Sequence, residues 1–408
     1  MQIKRILIFS LAYTPYVGGA EIAIKEITNR IGAGEYAFDL ITLRFDRNLS
    51  AEERIGNVNV YRVGFALDAP KVSDRSLPYE LRLAKILFPF TSFFKALSLS
   101  HRHRYDLIWT MMANQAGFGA LFFKLTHPRI PYLLELQDGN SLEQVKKRRP
   151  ILRLLWPLYR MVYTEANAIK AISNFIERLT RDVGYHGRVE IIPNGVDVAK
   201  FSAPVPEHQL QELRARYEKR LGDIFLFTAS RLVLSRGVED VIRALRHLPL
   251  EVKFLIAGDG EDREKLERIA KESGVESRVL FAGHVGHADL PAFLKISDIF
   301  VRPSIIEGMG SAFIEAFAAG IPVVATPVGG IPDFLFDPER TPGVEQTGVF
   351  CNVRDPESVA RAVKRYLDDP ALVATVVKNA RALVEHKYDW DMIAADMRTK
   401  LFDPLTKS

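Results

Sequence analysis

The sequence predicts a doubly wound α/β chain of two lobes, each a parallel sheet covered by helices on both faces. Three observations carry this expectation. Short apolar runs alternate with amphipathic stretches from one end to the other, which is the pattern of buried parallel strands and covering helices. A chain of 408 residues exceeds one domain of about 100–200 residues, so two separate cores are expected. With 48% apolar and 26% charged residues the composition is that of an ordinary globular protein, which excludes disordered, collagenous and coiled-coil chains.

In the first lobe the strands are expected at Ile6–Ser10, Asp39–Leu43, Val58–Val63, Asp106–Met111, Tyr132–Leu136, Ala168–Ile172 and Val189–Ile192. In the second they are expected at Ile224–Ala229, Val252–Ala257, Val279–Ala282, Ile299–Val301, Val323–Ala325 and Val349–Asn352. Helices of 3.6-residue periodicity intervene, among them Ile22–Ile31, Val238–Leu245, Glu264–Glu272 and Pro356–Tyr366. The boundary is expected after Pro193-Asn194-Gly195-Val196-Asp197, where Ser202–Lys219 is rich in proline and charge. Ligands of open α/β sheets bind beyond the carboxyl ends of the strands, so two such lobes facing one another would hold a ligand in the cleft between them.

Several function classes fall away on the same arithmetic. The one cysteine, Cys351, makes neither an internal disulfide nor a thiolate metal cage, which suits a reducing, cytoplasmic setting. The longest stretches without acidic or basic residues, Leu107–Phe123 and Ala316–Pro332, are 17 residues each and carry glycines and polar groups. Neither matches a bilayer span of about 20 residues. Lys4-Arg5 followed by Ile6–Ala12 mimics a signal peptide, but Tyr13-Thr14-Pro15 reads as a turn and the run as a first buried strand. Residues 1–200 hold 28 Lys/Arg against 19 Asp/Glu, whereas the remainder holds 27 against 31. The basic half is therefore expected to meet something anionic.

The segment with most chemistry is Ser304–Glu315, which follows a strand and opens a helix that stops at Gly320. Gly308 and Gly310 allow close backbone approach at a helix N-terminus, where the amides of Met309–Ser311 and the helix dipole suit a phosphate. Glu307 and Glu315 flank that turn, and Glu315, inside the helix, is placed to accept bonds from vicinal sugar hydroxyls. The alternative is a glycine-capped helix with two solvated glutamates. Arg231 follows the strand Ile224–Ala229, and Arg236-Gly237 comes five residues later, so both cations could converge on one diphosphate at the sheet's carboxyl edge. The alternative there is two solvated surface arginines.

Together these residues resemble the family-4 retaining glycosyltransferases of the two-lobed GT-B fold. The resemblance runs through Gly18-Gly19-Ala20-Glu21, Ile172-Ser173, Ile192–Asp197, Ala229-Ser230-Arg231-Leu232, Ala257-Gly258-Asp259-Gly260, Phe281-Ala282-Gly283-His284, the Glu307/Glu315 pair and Tyr388-Asp389-Trp390. It implies an acceptor-side domain at 1–199, a nucleotide-sugar domain at 200–385, and a C-terminal helix at 386–408 packing back on the first. It also implies transfer of a hexose from a UDP- or GDP-sugar to a glycan or lipid-linked acceptor, in the setting of cell-envelope polysaccharide synthesis. No metal, cofactor or nucleic acid is expected.

In that view Arg231 and Arg236 hold the diphosphate with the amides of Met309–Ser311, and Glu315 binds the ribose. Glu307 meets the transferred sugar, the backbone of His284-Val285 meets the base, and Gly18-Gly19 closes over the phosphates. Asp138 joins Glu307, Arg231 and Arg236 as a candidate catalytic residue. Two positions depart from the family's pattern. Arg236 stands where lysine is usual, with charge intact but different geometry. Gln137-Asp138-Gly139 stands where histidine is frequent, and glutamine shuttles no proton at neutral pH.

Other strings have plainer readings. Asp389-Trp390-Asp391 matches the Asp-x-Asp of metal-dependent transferases but sits where a helix begins, so capping explains it. His284 and His287 lack a third metal ligand, and His101-Arg102-His103-Arg104 reads as a solvated turn. Lys146–Tyr163 combines a basic run with leucines and aromatics. It is either a helix lying on an anionic membrane, with apolar surface added by Ile86–Phe90 and Phe93-Phe94, or a buried lobe helix with a basic end. Two other classes remain open: a sugar-nucleotide 2-epimerase, and a non-catalytic nucleotide-sugar-binding subunit.

Overall fold

The computed structural model describes residues 3–16, 18–32, 34–68, 77–140, 142–143 and 154–407. The chain forms two compact units, Met1–Asn194 with Trp390–Ser408, and Gly195–Asp389.

Among the described residues the first unit is built on eight strands: β1 Lys4–Phe9, β2 Tyr36–Leu43, β3 Glu52–Ile55, β4 Val58–Val63, β5 Leu107–Met111, β6 Tyr132–Leu136, β7 Ala168–Ala171 and β8 Arg188–Ile191. Their order across the sheet is β3-β4-β2-β1-β5-β6-β7-β8, and all pairs are parallel except the hairpin β3–β4. Helices on both faces explain why the central strands are apolar without alternation: Ile6, Leu7, Ile8 and Phe9 in β1 are all fully buried. The edge strand β3 was absent from the sequence expectation because Glu52, Glu53 and Arg54 are exposed. Charge there keeps the open edge from pairing with another chain.

The second unit holds six parallel strands: β9 Ile224–Ala229, β10 Val252–Ala257, β11 Val279–Gly283, β12 Ile299–Arg302, β13 Val323–Ala325 and β14 Val349–Phe350. Their order is β11-β10-β9-β12-β13-β14. The winding reverses between β9 and β12, as it does between β1 and β5 in the first unit. At such a switch point adjacent loops leave to opposite faces of the sheet and open a crevice at the carboxyl ends.

The unit boundary falls between Asn194 and Gly195, five residues before the expected end at 199. Val196 belongs to the second unit because its amide donates to Tyr388 O at 2.7 Å, and Asp197 caps the short helix Val198–Ser202. The proline- and charge-rich stretch expected as a connection instead contains the helix Glu207–Arg216, of which only Leu210 is buried. Burying so little, it leaves hardly any apolar periodicity to read.

The terminal residues return to the first unit. Trp390, Ile393, Met397, Leu401 and Phe402 are buried in its core, and Phe402 meets the rings of Trp109 at 5.3 Å, Tyr36 at 5.7 Å and Phe38 at 6.3 Å. All three tryptophans, Trp109, Trp156 and Trp390, lie in this unit, so their fluorescence reports its unfolding. Phe402→Ala should destabilise it by about 3–5 kcal/mol through transfer and cavity terms. Urea titration followed by tryptophan emission measures this, and an unchanged midpoint would show that the terminal segment is not part of that core.

Candidate functional site

The crevice of the second unit is organised by Glu307, which is 8% exposed. Its Oε2 accepts from Arg236 Nη1 at 2.7 Å, Arg302 Nη2 at 3.1 Å and Ser304 Oγ at 3.3 Å. Arg236 lies in the 3₁₀ turn Leu234–Arg236 after β9 and also donates to Ile306 O at 3.2 Å. Arg302 ends β12, is buried, and donates to Ala229 O at 3.2 Å at the end of β9. Its guanidinium carbon stands 4.2 Å from the centroid of Phe313, a cation–π contact in a desolvated setting. Burial pulls Arg302 down to about 10; Glu307 opposes that shift, the nearby charge of Arg236 adds to it and Glu315 opposes it. It stays charged at neutral pH.

Two glycines make this packing possible. Gly329 has φ +58°, and a Cβ there would stand 1.7 Å from Glu307 O, so the loop after β13 presses directly on the backbone of Glu307. Gly310 (φ +91°) caps the helix Ser311–Ala319 in the left-handed region, and a Cβ on it would crowd Phe313 and Arg302. Thr326 Oγ1 donates to Ser304 O at 2.5 Å and ties the ends of β12 and β13 together. The result is a helix N-terminus, a fixed carboxylate and two guanidiniums at one sheet edge. Ser230 Oγ, at that edge, and Arg302 Nε are buried without a protein partner among the described residues.

Of the expected residues, Arg236, Glu307 and the turn Gly308–Ser311 come together. The second guanidinium on Glu307 is Arg302, and Arg231 follows β9 with its side chain exposed. Arg302 has a signal in the sequence Ile299-Phe300-Val301-Arg302, a lone arginine closing an apolar strand. Glu315 is largely buried and meets His287 Nε2 at 3.2 Å, while His287 Nδ1 takes a bond from Lys200 Nζ at 2.9 Å. Glu315 is thus already partnered, and this chain of three side chains had no sequence signature. His284 and Val285 follow the edge strand β11 and line a concavity of about 470 Å³ with Arg216 and Tyr217. Cys351 is fully buried, and burial pushes its thiol up to about 12, so it is no nucleophile. Asp391 pairs with Arg30 at 2.6 Å, within the first unit.

The crevice of the first unit has its own polar core. Lys170 Nζ and Glu135 Oε1 form an ion pair at 2.6 Å with both side chains fully buried. Trp109 Nε1 donates to Glu135 Oε2 at 3.0 Å and Gln137 Nε2 to Glu135 Oε1 at 2.7 Å. Gln137 and Asn194 exchange reciprocal amide bonds of 2.9 and 3.3 Å. Gly19, at the start of the helix Gly19–Arg30, lies against this amide pair; a Cβ on it would stand 3.8 Å from each. Gly18 caps that helix, its amide donating to Glu21 Oε2 at 2.7 Å. Asp138 is exposed, accepts from Asn140, and lines a cavity of about 160 Å³ with Met112, Asn114, Tyr159 and Tyr163. Of Lys146–Tyr163, residues 146–153 lie outside the described residues, and Tyr159, Val162 and Tyr163 are buried.

Glycosyl transferases group 1 matches residues 210–383, and Glycosyltransferase Family 4 matches residues 17–200. An uncharacterized glycosyltransferase of Methanocaldococcus jannaschii is 27% identical over 406 residues, covering 96% of each chain. Sucrose-phosphate synthase from Thermosynechococcus elongatus superimposes with TM-score 0.80 at 22% identity, covering 99% of this chain and 100% of that one. HepE of Anabaena in complex with UDP-glucose gives TM-score 0.75 at 20% identity, covering 98% of this chain and 99% of that one. The shared architecture is GT-B, two Rossmann-like parallel-sheet domains.

Removing one member of the buried ion pair strands the other. Lys170→Met should therefore destabilise the first unit by about 3–5 kcal/mol, and adding Glu135→Gln should recover much of that loss. Tryptophan-monitored urea unfolding checks both, and equal destabilisation in the single and double variants would show that charge is not the cause.

Proposed function

This chain belongs to the family-4 glycosyltransferases, and we propose that it moves a hexose, with retention of configuration, from a UDP- or GDP-sugar to a glycan or lipid-linked acceptor. The observation that most supports this is the pair of guanidiniums held on Glu307 beside the N-terminus of Ser311–Ala319. Departure of a diphosphate from a sugar places negative charge on the leaving oxygen. Cations and helix amides already aimed at that point lower the barrier without reorganising. That the related HepE is a complex with UDP-glucose supports a nucleotide-sugar donor.

Roles follow from exposure. Arg236 is fixed by Glu307 yet has 30% of its side chain exposed, so it is preorganised with an open side toward phosphate. Arg231, exposed on the same loop, adds charge to the diphosphate. Arg302 is too buried to touch substrate and is a positioning residue that supplies fixed positive potential. All three donors to Glu307 fall on Oε2, which leaves Oε1 for a hydroxyl of the transferred sugar. Glu315 takes the ribose hydroxyls in place of His287, and the backbone of His284-Val285 meets the base. Gln137 offers hydrogen bonds to the sugar without moving a proton, and Asp138 orients the acceptor. As the bond from the sugar to the diphosphate breaks, the acceptor hydroxyl attacks from that same face and gives its proton to an oxygen of the departing phosphate. Retention therefore needs no enzyme nucleophile, in contrast to retaining glycosidases.

Thermal shift with a panel of UDP- and GDP-sugars identifies the donor, and product linkage by NMR reports the stereochemistry; an inverted product overturns the retaining mechanism. An epimerised donor in the absence of acceptor, or donor binding without release of nucleoside diphosphate, would move the chain to one of the two other classes. Arg236→Ala should lose about 2–4 kcal/mol of transition-state stabilisation while remaining folded. Wild-type kcat/KM in that variant would remove Arg236 from the mechanism. Glu315→Gln should weaken donor binding more than turnover, measured as KM against kcat; unchanged donor affinity breaks the ribose assignment. Because arginines neutralise the diphosphate, EDTA should leave turnover unchanged, and a rescuable loss would establish a metal requirement.

A further inference from the structure

The helix Tyr79–Ser100 is long and apolar enough to cross a membrane by length and composition, but its inner side is committed to the fold. Leu81, Ala84, Phe88, Ala96 and Leu99 are buried in the first unit. The outer side is unusual. At four-residue spacing it presents Ile86, Phe90 and Phe94, which are 65%, 53% and 63% exposed. The solvent side of a lobe helix is ordinarily polar. These side chains are not scattered: Phe90 meets Phe122 of the helix Gln115–Thr126 at 5.6 Å, Phe93 meets Phe122 at 6.3 Å, and Phe93 meets Phe94 at 5.4 Å. A contiguous exposed apolar patch marks an interaction surface.

Both helices run antiparallel to the strands they connect, so both end where β5 and β6 begin, at the end of the sheet opposite Gly19 and Gln137. There the segments His101–Asp106 and His127–Pro131 line a cavity of about 480 Å³ that contains Arg102, Arg104 and Arg129. Lys124, buried, holds the second segment in place by donating to Pro128 O at 2.8 Å and Ile130 O at 2.9 Å. The acid in this cavity, Asp106, is occupied by the amide of Arg5 at 2.8 Å. From Leu81 to Leu134 the chain contains seven Lys/Arg and one acid, Asp106.

We propose that this face docks on an anionic phospholipid bilayer, with Ile86, Phe90 and Phe94 entering the interface and Arg102, Arg104 and Arg129 binding headgroup phosphates. Exposed rings alone would suit a protein partner or a second copy. The cationic cavity at the end of the stripe, within a segment almost free of acids, selects a surface that is apolar inside and negatively charged outside. Within the first unit the site lies at the end of the sheet opposite Gly19 and Gln137, and the inference holds whichever donor or reaction the enzyme has.

The test is vesicle flotation of the full chain with phosphatidylcholine alone and with phosphatidylcholine plus phosphatidylglycerol. The wild type should float with the anionic vesicles and be released by raised salt. Phe90→Ser with Phe94→Ser should weaken partitioning by about tenfold or more. Arg102→Ser, Arg104→Ser and Arg129→Ser together should abolish the preference for phosphatidylglycerol. All five substituted side chains are exposed, and unchanged thermal midpoints confirm that the variants are folded. Three results overturn the proposal: no flotation of the wild type, flotation that both variants retain, or self-association lost in the ring variant with no vesicle binding.

Discussion

The second unit depends on one carboxylate. Glu307 sits between the ends of β9 and β12 and holds Arg236 and Arg302 on a single oxygen. Two guanidiniums repel one another, and burial disfavours Arg302 further, so neither would stay in place without the negative charge between them. The surrounding loops are shaped to keep that charge in place. Gly329 lets the turn after β13 lie against the backbone of Glu307, Ser304 donates to its carboxylate, and Phe313 stacks on Arg302 from the following helix. The catalytic proposal therefore rests on a preorganised electrostatic cluster more than on any single reactive group.

The first unit solves a similar problem with different chemistry. Its switch point is backed by Glu135 and Lys170, both fully buried, and that pair is connected through Gln137 to Asn194 and the glycine-led helix. Here the charges are fully buried and are bonded to the neutral amide of Gln137, which pairs in turn with Asn194. The difference suits the division of labour proposed for the enzyme: charge where a diphosphate departs, and directional hydrogen bonds where hydroxyls are recognised. A glutamine at position 137 fits such a neutral surface, since its bonds to Glu135 and Asn194 leave it fixed in orientation.

The lobes were legible because parallel strands covered on both faces must be apolar throughout. β4, β6, β9, β10 and β13 lie where the apolar runs place them, and β1 and β5 start or end within two residues. The exposed hairpin strand β3 and the helix Glu207–Arg216 were not legible, because each buries too little to leave a pattern. At the site, Arg236, Glu307, Glu315 and the glycine turn were readable from spacing, since a helix start after a strand is a local event.

What the sequence determined by itself was the succession of strands and helices, and the positions of the glycine-led helix starts. Those features depend on periodicity and on backbone conformations that only nearby residues decide. Tertiary structure alone chose the partners. It put Arg302 on Glu307, joined His287 and Lys200 to Glu315, and tied Gln137 to Asn194. Arg302 and Glu307 are near neighbours at the end of β12, whereas the other pairings join side chains from separate loops. Strand order fixes such distances, and no spacing along the sequence encodes them.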